Sequence, residues 1–352
     1  MAGDAETSSL GQPVEIGKID KELKKLWREG EGAMTRASLI NLAIYSEEAG
    51  SLEKNTQLIS KITESHACRV LVIGVDRKSK EDRVDAWINA HCHMTRAGSK
   101  QICSEQISFL LEGPCTKFLP SIVFSHLDSD LPLYLWWQDE FHDPMDAQLW
   151  AWVDRLIFDS QTWKKFATQM QLVETAQQEA KQRIVLCDLN WTRLDKVRYA
   201  IAQFFDHPAS HHHFSKMESV SVDFAPGFKS TAILLIGWLA GQLNWKTNQQ
   251  QMNGSCRFLD ANKRKIDIEL RERPGTPIGE VLLNSTEVKF CVTPAKCSDL
   301  LEISRSGQHE AAIPQMMPAQ SNNAVDLMTQ ELLRGGPHRV YLSAVNSVRG
   351  LL

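Results

Sequence analysis

The sequence predicts an α/β protein of two domains. The N-terminal domain carries a mixed sheet, an antiparallel meander joined to parallel βαβ units, and a C-terminal α+β domain follows. Three observations support this. At 352 residues the chain exceeds one comfortable hydrophobic core. Between Lys117 and Leu189 short apolar runs alternate with helical patterns, the mark of βαβ units. Arg83–Met94 alternates apolar and polar residues with period two, which is strand behaviour.

Residues 1–15 are polar and aperiodic and are expected to be disordered; the first domain then covers 16–187 and the second 188–352. "IDKELKKLWRE" reads as a helix through Ile19, Leu23, Leu26 and Trp27, and "TRASLINLAIYS" reads as a second helix. "CRVLVIGV" is a β-branched apolar run, the first strand. The period-two segment and "QICSEQISFLL" complete the meander. "KFLPSIVFSHL", "DAQLWAWVDR" and "QTWKKFATQMQLVETAQQEAK" read as helices, interleaved with the strands "DLPLYLWW", "RLIFDS" and "RIVLCDL". The second domain opens with a helix near "DLNWTRLDKVRYAIAQFFDHP", followed by the strand "MESVSVDF" and a long apolar helix, 230–245. Short strands span Cys256 to Ser304, "QHEAAIPQMMPAQSNNA" is a loop, "VDLMTQELLRG" a helix and "HRVYLSAV" a final strand.

A net charge of −4 gives no cationic excess for phosphates, which argues against nucleic-acid binding. The N-terminus lacks the basic flank and apolar core of a secretory signal. The most apolar run, Ala232–Gly241, is about half the length a bilayer needs, so no membrane association is expected. Eight cysteines without a CxxC, and no export signal, point to the cytoplasm and to reduced thiols as the resting state.

The stretch "WINAHCHMTRAGSKQICSEQI" holds the densest chemistry. With the turn between Ala97 and Gly98, Cys92 opposes Cys103, Ile88 opposes Ile107, Ala86 opposes Phe109 and Val84 opposes Leu111, making one apolar face. Only Glu105, opposite Ala90, is out of place there. His91, His93, Asn89, Ser104 and Gln106 share the other face, so the histidines point away from the thiols and a compact His–Cys zinc site is disfavoured. The Cys92–Cys103 pair can form a disulfide or remain two small buried hydrophobes.

In "LPLYLWWQDEFHDP", Trp136 and Trp137 end a buried strand ahead of an acidic loop containing His142. One indole is open to a ligand or partner, or both pack under helices. "VDFAPGFKSTA" resembles a phosphate loop but lacks GxxxxGK[ST], and a helix capped near Ser230 is the favoured reading. "SHHHF" reads as a solvated histidine loop. No GxGxxG follows the first strand, and GxSxG and HExxH are absent. No catalytic, cofactor-binding or metal-ligating residues are therefore assigned.

"RAGSKQICSEQI", "DLPLYLWW", "RLIFDS" and "DLNWTRL", in this order, resemble the OpcA family, glucose-6-phosphate dehydrogenase assembly proteins of bacteria. The resemblance runs from about Arg69 to about Trp245. It implies a non-catalytic allosteric partner of that dehydrogenase, the NADPH-supplying entry enzyme of the oxidative pentose phosphate pathway, with redox control in which thioredoxin is implicated. Of the named residues, Cys103 and the Trp136–Trp137 pair lie in matching motifs; Cys92 rests on the hairpin register alone. Two other classes remain. One is an α/β enzyme or binding protein for a sugar phosphate or nucleotide, using His91, His93 or His142 as acid or base; the other is a metal-binding structural protein.

Overall fold

The computed structural model describes residues 9–29, 34–94, 101–142, 147–179, 184–206, 211–247, 255–296, 298–307, 310–311 and 314–352. The chain divides into two units that interleave in sequence. The first is Met1–Phe158, Thr168–Cys187 and Met328–Gly335; the second is Asp159–Ala167, Asp188–Leu327 and Gly336–Leu352. No helix among the described residues is long and apolar enough to cross a membrane.

The elements of the first part of the chain are β1 (Gln12–Pro13), α1 (Ile19–Glu29), β2 (Met34–Arg36), β3 (Asn41–Ser46), α2 (Ser51–Ile62), β4 (Arg69–Asp76), β5 (Arg83–Met94) and β6 (Gln101–Glu112). They continue with α3 (Leu119–Ser125), β7 (Leu133–Trp137), α4 (Ala147–Trp150), β8 (Arg155–Phe158), α5 (Phe166–Glu179) and β9 (Val185–Asp188). The segment 9–15, expected to be unstructured, includes β1, which pairs antiparallel with β5. Residues 1–8 lie outside the described residues.

The strands form one sheet in the order β1-β5-β6-β4-β3-β7-β8-β9, with β2 also on β6. β6, β4, β3, β7 and β8 pair in parallel. Counted along the chain, β3, β4, β6, β7, β8 and β9 stand in the order 3-2-1-4-5-6, that of the doubly wound dinucleotide fold.

Two expectations are corrected here. "TRASLINLAIYS" is not a helix: it contains β2 and β3. All six residues of β3 are buried, because a central parallel strand is covered on both faces and so shows no alternation. Leu42 and Ile44 are fully inaccessible, each contributing about 1.5–3 kcal/mol of burial. Nor is Cys68–Leu111 a simple meander. β4 pairs in parallel with β6, and β5 lies on the far side of β6, so only β5 and β6 are an antiparallel pair. Their register is the one expected, from Val84–Leu111 through Ala86–Phe109 and Ile88–Ile107 to Cys92–Cys103. The turn at Ala97–Gly98 lies outside the described residues.

The chain continues with α6 (Leu189–Thr192), α7 (Asp195–Gln203), α8 (His211–Phe214), β10 (Met217–Phe224), α9 (Lys229–Leu243), β11 (Lys246–Thr247), β12 (Ser255–Leu259) and β13 (Lys265–Glu272). Then come β14 (Ile278–Ser285), β15 (Val288–Pro294), β16 (Leu300–Gly307), β17 (Glu310–Ala311), β18 (Gln315–Pro318), α10 (Ala324–Leu333) and α11 (Tyr341–Val348). The second sheet runs β11-β12-β13-β10-β14-β15-β16-β17, with β18 on β16; β10 and β13 are parallel and the other pairs whose register is resolved are antiparallel.

α9 contains the apolar run and buries nearly all of it. It packs on α11, where "HRVYLSAV" was expected to be a strand. Tyr341, Ala344, Val345 and Val348 are the buried residues of α11, and their spacing of three, four and seven is helical. The approach is close because Gly237 has no side chain: a Cβ there would stand 2.4 Å from the Ala344 carbonyl oxygen. The expected loop after Gly307 instead adds β17 and β18 to the sheet edge, where Pro318 is tolerated because an edge strand has an unpaired side.

Candidate functional site

The β5–β6 hairpin joins Cys92 to Cys103 in a disulfide, and Cys103 is fully buried. Glu105, the misplaced charge, accepts hydrogen bonds from Arg36 Nη2 at 2.7 Å, from Trp27 Nε1 at 3.1 Å, and from Arg69. An apolar face bearing one charge is thereby explained: two guanidinium groups reach it.

Much of the polar face is covered, because α2 packs over it. Gln106 is fully buried and donates to Thr56 on α2 and to Ser108, both at 2.8 Å, while its carbonyl oxygen is 2.8 Å from His91 Nε2. His93 Nε2 lies 3.2 Å from the Thr63 hydroxyl. His91 and Ser104 are buried, whereas Asn89 and His93 are half-buried. Burial lowers the His91 imidazole below its usual value, against the Gln106 bond, which raises it. Trp136 and Trp137 are also buried. Trp137 stacks on Tyr45 with ring centroids 3.7 Å apart and contacts Phe141 and Trp150. Both indoles are therefore core.

In the 3-2-1-4-5-6 order, ligands bind outside the carboxyl ends of the first and fourth strands, here β3 and β7. A cluster occupies that position. Glu47, just past β3, accepts from Arg77 Nε at 2.8 Å and from the Tyr45 hydroxyl, and its Oε1 is 2.7 Å from His142 Nε2. Burial pushes the Glu47 carboxyl up, but its contacts with Arg77, Tyr45 and His142 outweigh that and leave it below its ordinary value. Burial also raises Asp139, which accepts from the Glu47 amide at 2.7 Å.

A dinucleotide turn would offer free amides to a pyrophosphate. Here the Glu47 amide is taken by Asp139, the Glu48 amide donates to Ser46 Oγ at 3.2 Å, and the Ser51 amide donates to the Glu48 carbonyl at 3.1 Å. A cavity of about 560 Å³ opens beside the turn, lined by Glu47, Glu48, Glu53, Asp76, Asp85 and Glu112 among others. Among the described residues that line it the one arginine, Arg83, is engaged by Glu112 at 2.8 Å and Asp85 at 3.1 Å. Such a crevice repels phosphate and favours cationic groups.

The motif "DLNWTRL" builds a buried polar cluster in the second unit. Asp188 accepts from the Ser160 amide at 3.0 Å, the Ser160 hydroxyl at 2.6 Å, the Asn190 amide at 2.9 Å and the Tyr341 hydroxyl at 2.8 Å. Burial and the charge of Asp159 push its carboxyl up to about 6. Asn190 is tied to Thr231 at 2.5 Å and Ser230 at 3.3 Å, so the phosphate-loop look-alike serves this cluster. Of the expected caps, Ser230 or a neighbour of Lys229, it is the neighbour Phe228 that holds the N-cap position of α9, with no side-chain cap bond. Sequence reasoning missed Asp188; its only local signal is an acid ending an apolar strand.

"SHHHF" is not wholly a solvated loop. His213 is 3% exposed, on α8, and stands with His212 near Glu287.

Among curated relatives, an OxPP cycle protein OpcA of Nostoc punctiforme is 22% identical over 314 residues, covering 83% of this chain and 67% of its own length. A counterpart from a Synechocystis species is 23% identical over 311 residues, covering 83% of this chain and 65% of its own length. This chain thus spans about two thirds of the relatives it matches. An aldose-aldose oxidoreductase structure from Caulobacter crescentus is similar with a TM-score of 0.48 at 9% identity, over 89% of this chain and 95% of that one; likeness at that level carries no argument. Residues 59–175 match the family described as glucose-6-phosphate dehydrogenase subunit N-terminal domain, and residues 184–345 match its C-terminal domain. Together these matches span most of the chain, which belongs to the OpcA family of glucose-6-phosphate dehydrogenase subunit proteins.

Proposed function

We propose that the chain is a non-catalytic assembly factor and allosteric activator of glucose-6-phosphate dehydrogenase, working in the cytoplasm on the NADPH-supplying entry step of the oxidative pentose phosphate pathway. The observation that carries the non-catalytic reading is the turn after β3. The Glu47, Glu48 and Ser51 amides are taken internally and two of its side chains, Glu47 and Glu48, are acids, where a dehydrogenase of this strand order needs free amides for pyrophosphate. Family membership supports the choice of partner. Activation then follows from binding: the chain favours the assembled, substrate-competent state of the enzyme because its affinity for that state is higher. On the hairpin, Asn89 and His93 retain exposure with which to meet a partner.

Redox response through Cys92 and Cys103 belongs to the same proposal. A dithiol of the thioredoxin class would attack the half-buried Cys92 sulfur, pass through a mixed disulfide, and leave two cysteine thiols here and a disulfide on the reductant.

The test is the saturation curve of glucose-6-phosphate dehydrogenase from the same organism, with and without the purified chain. The expected result is a lower half-saturation or a shift to the assembled form, altered by reductant in the wild type and not in the Cys92→Ser and Cys103→Ser variants. Turnover of pentose-pathway substrates by this chain alone would overturn the non-catalytic reading. An unchanged response to reductant would remove the redox part.

A further inference from the structure

Glu287 lies in the turn between β14 and β15, opposite the short helix α8. Its Oε2 is 3.4 Å from His212 Nε2 and 3.8 Å from His213 Nδ1, and the three candidate donor atoms all lie within 4.8 Å of one another. His213 is 3% exposed, yet its Nδ1 has no hydrogen-bond partner. Buried polar atoms are seldom left that way, and one facing two other donor groups points to a ligand.

We propose that His212, His213 and Glu287 form a divalent-cation site of the zinc class. Adjacent histidines are poor ligand pairs when both present the same nitrogen, because a helix turns them about 100° apart. Here they converge through different atoms, the long-reaching Nε2 of His212 and the short-reaching Nδ1 of His213, with ring centroids 3.8 Å apart. Tetrahedral bonds of about 2.0–2.1 Å separate ligand atoms by about 3.3 Å; the His212–Glu287 pair at 3.4 Å already matches, and the His213–Glu287 pair at 3.8 Å needs a small side-chain adjustment to close on an ion. Two imidazoles and one carboxylate select zinc-like ions over magnesium or calcium, which take oxygen. Lys216 pairs with the other carboxylate oxygen, Oε1, and so leaves Oε2 to the metal; its charge and that of Arg305 weaken the site without blocking it. Solvent completes the coordination at the exposed side of His212.

The test uses the full chain, free of any affinity tag and stripped with chelator. Zinc is titrated by calorimetry, and cobalt absorption reports geometry. One equivalent of zinc and a tetrahedral cobalt band are expected. Glu287→Gln, at a half-exposed position whose fold is checked by circular dichroism, should weaken zinc at least about tenfold. His213→Ala should do the same and lose the cobalt band. Because His207, His211 and His212 remain in both variants, a mere histidine tract would keep its affinity. Wild-type binding in Glu287→Gln, or no stoichiometric binding in the wild type, overturns the site.

Discussion

Replacing Glu105 with alanine should loosen the hairpin far more than replacing its exposed partner Arg36. The carboxylate is 1% exposed, the Arg69 side chain beside it 10%, and the Arg36 side chain 43%. Removing Glu105 leaves the Arg69 guanidinium buried without its carboxylate, although it keeps a 2.5 Å bond to the His126 carbonyl. Breaking a buried pair from one side costs about 3–5 kcal/mol. Arg36→Ala removes a half-exposed partner and leaves Glu105 with Arg69 and Trp27, so its cost should stay near or below about 1 kcal/mol. Hydrogen exchange read by mass spectrometry on peptides from β5 and β6 measures the difference locally. Protection there should fall about a hundredfold or more in Glu105→Ala and less than about tenfold in Arg36→Ala. Equal losses in the two variants, or an unaffected Glu105→Ala, would refute the view that the buried pair organises this face.

Gly237→Ala should lower the melting temperature, because its Cβ would lie 2.4 Å from the Ala344 carbonyl oxygen and 2.8 Å from Val348 Cγ2; the cost is about 1–3 kcal/mol. Gly335→Ala meets open space and should be neutral within about 0.5 kcal/mol, so equal melting points in the two variants would contradict the helix packing. Asp188 makes stability depend on pH. Its carboxyl is raised to about 6 from an ordinary value of 3.8, so it contributes stability that is complete below the lower value and lost as pH climbs through the higher. Between pH 4 and 7 the wild type should therefore lose ground to Asp188→Asn, by at most roughly 3 kcal/mol. A difference in urea midpoints that stays flat across that range would disprove the shift.

The β5–β6 register was legible because its two faces differ in polarity: a slip of one residue would have put Ile107 and Phe109 among Gln106 and Ser108. The same pattern did not reveal what covers the polar face, since the hydrogen bonds to it come from Thr56 on α2 and Thr63 just past its end, and nothing in that segment announces the contact. β3 was illegible for the opposite reason. Buried on both sides, "NLAIYS" has no period, and a short apolar run fits a buried helix equally well. α11 shows a helical spacing from Tyr341 to Val348, but the β-branched and aromatic residues at its start imitate a strand. The Asp188 cluster draws on Ser160 and Tyr341, 28 and 153 residues away, a convergence that no local pattern encodes.

Misplacing β3 also changes the chemistry that can be inferred. With a helix at 41–46, the acids that follow are one more solvated turn. With a strand there, the same acids stand at the switch point of a 3-2-1-4-5-6 sheet, and each becomes a statement about nucleotide binding. Glu47 is the clearest case. The carboxylate that would repel a pyrophosphate also holds Tyr45, Arg77 and His142 together, while its amide is closed by Asp139. Converting the turn to a phosphate cradle would therefore require more than a glycine at position 47: Arg77 and Tyr45 would lose their acceptor, and the Glu47 and Glu48 amides would have to be released from Asp139 and Ser46. The strand order rests on apolar residues such as Leu42, Ile44, Val70 and Leu135, whereas the ligand chemistry rests on the few residues between Ser46 and Ser51. Fold and site are thus separable in this chain, and the sheet order by itself does not make it a dehydrogenase.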